Sequence, residues 1–275
     1  MKTLFGRLAF IFVILILISL TFSGISNAKI DTNTIAAMWL FDEGSGNVAK
    51  DSSGNKNDGK FAGGDIKWVN AKFGKGLEFD GKSWLECGKD PSLDFSASPN
   101  FSIHAIVKAT APPTGKIIIW KGLGCSTWSQ WLLGTGEHEN SVAVTNATFH
   151  FRTSNGAGRN EVRSKDLLPE NVWVQVCGTY DGKKLKIYID GNLSNEFDTS
   201  GNPWASTEQV YIGADPGCSV RGQWVGVIDE IAIFNVTLSD ADVKGLANGF
   251  AGANAVEPDN KLTSTWGQIK RDHTE

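Results

Sequence analysis

The chain has 275 residues and a formal charge of −4, so it lacks the basic excess that nucleic-acid phosphates require of a partner. It contains 31 glycines and 10 tryptophans but only two methionines. Glycine serves turns and aromatic residues favour pleated strands, so the composition predicts an all-β protein. About 250 residues is an ordinary size for a single β-sandwich domain.

Residues 1–28 have the pattern of a secretory signal peptide. Lys2 and Arg7 precede an apolar run, Leu8 to Leu20, and small residues then suit cleavage after Ala28. An uncleaved anchor is the alternative, although the run is short for a membrane span of about 20 residues. The remaining chain carries a formal charge of −6 and has no second apolar stretch of spanning length. We therefore expect a secreted protein, located in the periplasm or outside the cell.

Strand-forming segments follow one another at short intervals, with glycine-rich or polar turns between them. This spacing favours a sandwich over alternating strands and helices. The predicted strand segments are 35–41, 77–80, 84–87, 101–108, 116–121, 130–133, 141–152, 173–180, 184–189, 209–213 and 224–234.

The segment 173–191 gives the strongest local signal. It reads as two alternating strands closed by Asp181-Gly182 and Asp190-Gly191, and Asp-Gly between apolar alternations predicts a hairpin turn. Alternation places one set of side chains in a core and the other toward solvent. The core set is Leu185, Ile187 and Ile189, and the solvent set is Lys184, Lys186 and Tyr188.

One short helix is predicted near the end of the chain. Ser239 is a suitable N-cap, acidic residues follow it in the first turn, and Gly249 is a suitable stop. Residues 251–275 carry Pro258 and mixed charge, and are expected to form a tail, either docked or loose.

Four cysteines in an exported chain predict two disulfides with three possible connectivities. Cys125 and Cys218 lie in glycine-rich loops, whereas Cys87 and Cys177 end apolar alternations. The simplest pairing is therefore Cys125–Cys218 and Cys87–Cys177. Four free or buried thiols are the alternative.

Five segments, in this order, resemble one family. They are 36–46, 51–59, 77–81, 173–191 and 224–235. They are similar to the LamG-like jelly-roll domains of secreted bacterial proteins, in the concanavalin A-like lectin/glucanase superfamily. The likeness covers about residues 35 to 249, which gives a domain at 29–250 followed by the tail at 251–275.

The resemblance implies an antiparallel two-sheet jelly-roll sandwich with loops along one rim, to which the residues themselves add one short C-terminal helix. It also implies glycan binding, adhesion or protein contact more often than catalysis. Because the family is functionally broad, its fold alone does not decide the function.

The resemblance commonly implies a structural calcium ion, which takes oxygen ligands. Within nine residues, one loop offers Asp51, Asn55, Asn57 and Asp58, and the family pattern implies Asp229 as a fifth contributor. The alternative is turn chemistry, in which these side chains bind their own backbone. No Cys/His spacing suits zinc.

Catalysis is not expected. A glucanase on this fold needs carboxylates two residues apart on one strand, so that both face the same side. Asp229 and Glu230 are adjacent, and Asp80 of the Glu78/Asp80 pair belongs to a turn. A glycoside hydrolase with unrecognised carboxylates remains an alternative.

A ligand surface is predicted where the two glycine-rich cysteine loops would meet. Aromatic faces stack on sugars, and polar side chains bind sugar hydroxyls, so these loops predict a rim that recognises carbohydrate or a glycoconjugate. Trp131 and Trp224 are more readily explained as core residues, and Trp128 is the better candidate for exposure. The predicted rim residues are Trp128, Gln130, Trp131, Arg221, Gln223 and Trp224.

The sequence therefore predicts a secreted lectin-like module that binds carbohydrate and does not catalyse a reaction. The first alternative is an adhesion module that contacts surface or matrix proteins without binding sugar. The second is the hydrolase considered above.

Overall fold

The computed structural model describes residues 30–122, 128–136, 145–154, 157–217 and 219–250. The predicted signal peptide, the tail 251–275, Cys125 and Cys218 lie outside these ranges. The strands are β1 (Ile35–Trp39), β2 (Val48–Ala49), β3 (Gly59–Gly63), β4 (Ile66–Asn70), β5 (Lys75–Asp80), β6 (Ser83–Glu86), β7 (Asn100–Ala109), β8 (Ile117–Lys121), β9 (Trp131–Thr135), β10 (Asn146–Ser154), β11 (Ala157–Leu167), β12 (Val174–Asp181), β13 (Lys184–Ile189), β14 (Asn192–Asp198), β15 (Val210–Ile212) and β16 (Val225–Phe234).

The helices described are the 3-10 turns Thr32–Thr34 and Pro91–Leu93, and the α-helix α1, Asp240–Leu246. No helix in this part of the chain is long and apolar enough to cross a membrane.

The described strands form two antiparallel sheets, as the sequence predicts. The first sheet has the order β14-β13-β12-β7-β16-β5-β4, with β1 also paired to β16. The second has the order β11-β10-β9-β8-β15-β6-β3-β2. Neighbours that are distant in sequence, such as β7 beside both β12 and β16, make the topology a jelly roll rather than a simple meander.

The core lies between the two sheets and is built by alternation along each strand. On β7, Phe101, Ile103, Ala105 and Val107 point inward, as predicted. Phe149 and Phe151 face them from β10 of the second sheet, and Phe101 makes edge contacts with both rings. Aromatic pairs of this kind add to the stabilisation gained from burial alone.

The hairpin 173–191 forms as predicted. Tyr180 pairs with Leu185, and Asp190 and Gly191 both have positive φ at the next turn, the requirement of a type I′ hairpin. The expectation that Tyr188 faces solvent is wrong. It lies on the outer face of the first sheet but is buried beneath α1, and its hydroxyl donates to Asp240 Oδ1 at 2.6 Å.

Helix α1 begins as the sequence predicts. Ser239 Oγ accepts from Asp242 N, and Asp242 Oδ2 accepts from Ser239 N, which completes a capping box. Gly249 follows with φ +77. The helix packs Val243 and Leu246 into a second apolar cluster on the outer face of the first sheet.

The predicted Cys87–Cys177 disulfide is wrong, because both cysteines are free and buried. Cys87 follows β6 and packs in the core between the sheets. Cys177, on β12, belongs to the outer cluster beneath α1, on the opposite face of the first sheet. Burial raises the pKa of both thiols. The Cys125–Cys218 pairing stays a prediction, since both residues lie outside the described ranges.

Candidate functional site

Trp128 lies just before β9 and is 44% exposed, as its place in a loop predicts. The Arg152 guanidinium, near the end of β10, lies over its ring, with Cζ 4.6 Å from the ring centroid. Arg152 itself is only 3% exposed. A buried cation against one face of an indole fixes the ring while part of the ring surface still meets solvent.

Beside this pair, polar side chains continue across the outer face of the second sheet. Ser129 Oγ and His150 Nε2 are 2.8 Å apart. On β11, opposite His150, Glu161 lies with Oε2 3.8 Å from His150 Nδ1 and also binds Arg159 and Arg163. His150 points outward because its neighbours on β10, Phe149 and Phe151, point into the core. Glu161 pairs with His150 across the two strands and lies on the same face.

Trp204, in the loop between β14 and β15, belongs to the same place. Its backbone N donates to Arg152 O at 2.8 Å, and its Nε1 donates to Ser129 O at 3.4 Å. We call the group formed by Trp128, Ser129, His150, Arg152 and Trp204 the Trp128 corner.

The loop that carries Trp204 is fastened to the sheet by two buried side chains. Gln130 Nε2 donates to Trp204 O and to Asp94 Oδ1. Lys121 Nζ donates to Glu208 O at 2.6 Å. Burial lowers the pKa of Lys121 to about 8, although Asp94 and Glu208 oppose the shift. Gln130, predicted as a ligand contact, is fully buried in this role.

The prediction that six side chains share one rim is wrong. Trp131 and Trp224 are fully buried core residues, which is the alternative that the sequence favours. Successive side chains of β9 point to opposite faces of the sheet, and Trp131 is on the inward face with Leu133. Trp131 Nε1 donates to Leu93 O at 3.2 Å.

Arg221 and Gln223 lie at the opposite end of the second sheet from Trp128. Gln130 N donates to Lys121 O, at the last residue of β8, whereas Ile117 N, at the first, donates to Gly222 O. Ile117 and Lys121 are four residues apart along β8, a distance of about 14 Å in an extended strand. Arg221 is engaged there by Asp215 Oδ2 at 2.8 Å, and Gln223 Nε2 donates to Val220 O.

The predicted calcium loop is closed by its own hydrogen bonds. Asp51 accepts from Met38 N and Ser53 N through Oδ1, and from Asn57 N through Oδ2. Asp58 accepts from Asp51 N and from Lys50 Nζ at 2.7 Å. Burial opposes ionisation of Asp58, but these two donors hold its pKa below the usual value.

The other proposed ligands serve other segments. Asn55 Nδ2 donates to Ala36 O, and Asn57 O accepts from Trp39 Nε1. Asp229, on β16, accepts from Phe73 N at 2.7 Å. No group of three or more His, Cys, Asp or Glu in the described part of the chain is arranged to hold a metal ion. The hydrogen bonds of the loop are those of turn chemistry, and calcium binding stays a prediction.

Sequence reasoning missed His150, Arg152 and Trp204. The first two could be found from the alternation of 149–152, where two phenylalanines on one face leave a histidine and an arginine on the other. Trp204 stands in an irregular loop, and no local pattern in the sequence joins it to Trp128.

The family model described as the concanavalin A-like lectin/glucanases superfamily, Laminin_G_3, matches residues 79–244. The chain belongs to this family. Comparison with curated proteins gives no match.

Solved structures share the fold at low identity. Domain 4 of AbnA, a GH43 extracellular arabinanase from Geobacillus stearothermophilus, in complex with arabinotriose, is 18% identical with TM-score 0.61, over 78% of this chain and 98% of that one. The binding domain of Paraclostridial Mosquitocidal Protein 1 is 13% identical with TM-score 0.59, and the match covers 84% of this chain and 57% of that one. The binding domain of botulinum neurotoxin DC, in complex with rat synaptotagmin II, is 13% identical with TM-score 0.58, and the match covers 80% of this chain and 52% of that one.

Proposed function

We propose that the protein is a secreted, non-catalytic module that binds carbohydrate or glycosylated surfaces at the Trp128 corner. The observation that carries the proposal is the partly exposed Trp128 ring held against the buried Arg152 guanidinium. An aromatic face supplies apolar contact area for the C–H groups of a sugar ring, and the polar side chains beside it supply hydrogen bonds to hydroxyls.

The structural relatives support this proposal by what they bind. One is in complex with arabinotriose, another, a botulinum neurotoxin DC binding domain, with SialylT, and a type C neurotoxin depends on two ganglioside molecules for cell entry. The ligands differ, so these relatives support a sugar-binding surface on this fold without naming the sugar.

The carboxylates next to the Trp128 corner, Glu161 and Asp94, favour binding over glycoside hydrolysis. Hydrolysis requires an acid and a second carboxylate flanking the scissile bond. Glu161 binds Arg159 and Arg163, and Asp94 accepts from buried Gln130. Both carboxylates are thus engaged in holding other side chains.

A glycan array tests the proposal with three proteins: wild type, Trp128→Ala and Trp173→Ala. Trp173 is a matched control, because Lys108 Nζ lies 5.1 Å from its ring centroid and Trp173 lies just before β12 of the first sheet, away from the Trp128 corner on the second. We expect wild type and Trp173→Ala to bind the same glycans, and Trp128→Ala to lose at least tenfold in affinity, about 1.4 kcal/mol. Equal binding by all three proteins would contradict the proposed site.

Protein contact is a second candidate function, and a separate surface favours it. Leu167 on β11 and Leu193 and Phe197 on β14 are 63%, 44% and 47% exposed. These edge strands adjoin, since Lys165 N donates to Ser194 Oγ at 3.0 Å. A silent glycan array, together with loss of cell-surface binding in a Leu193→Ser/Phe197→Ser variant, would favour adhesion instead.

A further inference from the structure

The two tryptophans of the Trp128 corner flank the same pair of residues. Trp128 precedes Ser129 and packs on the Arg152 side chain, whereas Trp204 bonds the backbone oxygens of both Ser129 and Arg152. Trp204 is half-buried, and Trp128 beside it is 44% exposed. Two indoles are thus held at one place by strands β9 and β10.

We infer that the corner binds a glycan chain of at least two sugar residues, with one sugar against each indole. This inference rests on the proposed function. A single sugar ring that stacks on Trp128 leaves Trp204 unused, whereas a linked second ring reaches it without a second loss of translational freedom. Trp204 is therefore the residue that selects for chain length.

The position of Trp204 is fixed before a ligand arrives. Its backbone N and Nε1 both donate, and its carbonyl accepts from fully buried Gln130. Lys121, 1% exposed, fastens Glu208 of the same loop. A surface ordered in the free protein avoids part of the entropic cost of binding. Gln130 and Lys121 are positioning residues in this account.

Titration calorimetry with two series of defined sugars tests the inference. The probes are arabinose, arabinobiose and arabinotriose, and galactose, lactose and sialyllactose. For the series that binds, we expect wild type to gain about tenfold in affinity from the monosaccharide to the disaccharide. Trp204→Ala should lose that gain while it keeps wild-type affinity for the monosaccharide.

Two further variants separate ligand contact from damage to the fold. Trp204→Phe keeps an aromatic ring but removes the Nε1 donor to Ser129 O, and should retain most of the gain with chain length. Trp173→Ala should match wild type for every probe. Each variant is used only if it shows a cooperative thermal melt, and Trp204→Leu, which keeps apolar bulk without an aromatic ring, replaces Trp204→Ala if the latter unfolds, with the same loss of gain expected.

The possible failures are distinguishable. If a monosaccharide binds as tightly as its oligosaccharides, or if Trp204→Ala keeps the full gain, this inference is overturned and the proposed function stands. If none of the six probes and no glycan on the array binds, both are overturned.

Discussion

His104 is a buried histidine on the outer face of the first sheet. Its ring makes an edge contact with Phe250, at 5.7 Å between centroids, and none of its surface is exposed. Burial lowers its pKa to about 3, with Lys72 adding to the effect and an interaction with the Leu246 backbone opposing it. The folded protein therefore holds this imidazole neutral at pH values where the unfolded chain protonates it.

We predict that acid destabilises the protein through His104. The unfolded state takes up a proton near pH 6.5 and the folded state only near pH 3, so the free energy of unfolding falls by about 1.4 kcal/mol per pH unit between these values. Above about pH 7 the residue contributes no pH dependence. Urea unfolding at several pH values measures this slope.

His104→Leu supplies the control for the acid effect, because it removes the titrating group and keeps an apolar side chain. The informative window is about pH 4.5 to 6.5, above the range in which Asp58 and Asp240, whose pKa values are lowered, take up protons. An unchanged slope in the variant would show that His104 is not the source.

Trp128 and Trp131 show what sequence can and cannot predict for single residues. Three positions separate them, yet one is exposed and the other is fully buried. Alternation along β9 accounts for Trp131, and position in a loop accounts for Trp128. The contact between Trp128 and Arg152 cannot be predicted in this way, because it depends on the pairing of β9 with β10.

At the scale of elements, apolar alternation and Asp-Gly turns predict the central strands, and the Ser239 N-cap with its acidic first turn predicts α1. Sequence analysis missed β11, because Arg159, Glu161, Arg163 and Lys165 give it a polar pattern. It is an edge strand whose outward side chains form ion pairs, so it lacks the alternation with strongly apolar residues that marks a buried strand.

The loop after β2 provides a prediction at this scale. Asp51 accepts three backbone N–H groups, from Met38, Ser53 and Asn57, and thereby ties the loop to β1. Asp51→Ala leaves these donors unpaired and should cost about 2 to 4 kcal/mol of stability. Because the carboxylate acts on the backbone, the loss should be equal in calcium and in chelator.

Thermal melts of wild type and Asp51→Ala, each with calcium and with chelator, measure this effect. Ser98→Ala, at an exposed serine, is a control for substitution at the surface. A loss that appears only when calcium is present would show instead that Asp51 is a metal ligand, as the family resemblance implies.

For the whole molecule, composition, turn spacing and the family resemblance together predict the two-sheet jelly roll. They do not predict which loops meet. Trp128 and Arg221 both stand near glycine-rich loops with a cysteine, but β8 places them at opposite ends of the second sheet. Such long-range placement depends on strand order, which the local pattern does not specify.

The most direct measurement is a proton–nitrogen NMR titration that follows the indole Nε1 signals of the ten tryptophans. Addition of a glycan identified on the array should shift the Trp128 and Trp204 signals and leave those of the buried residues Trp39, Trp131 and Trp224 in place. Shifts confined to other tryptophans, or saturable binding that leaves the Trp128 signal unmoved, would contradict the account.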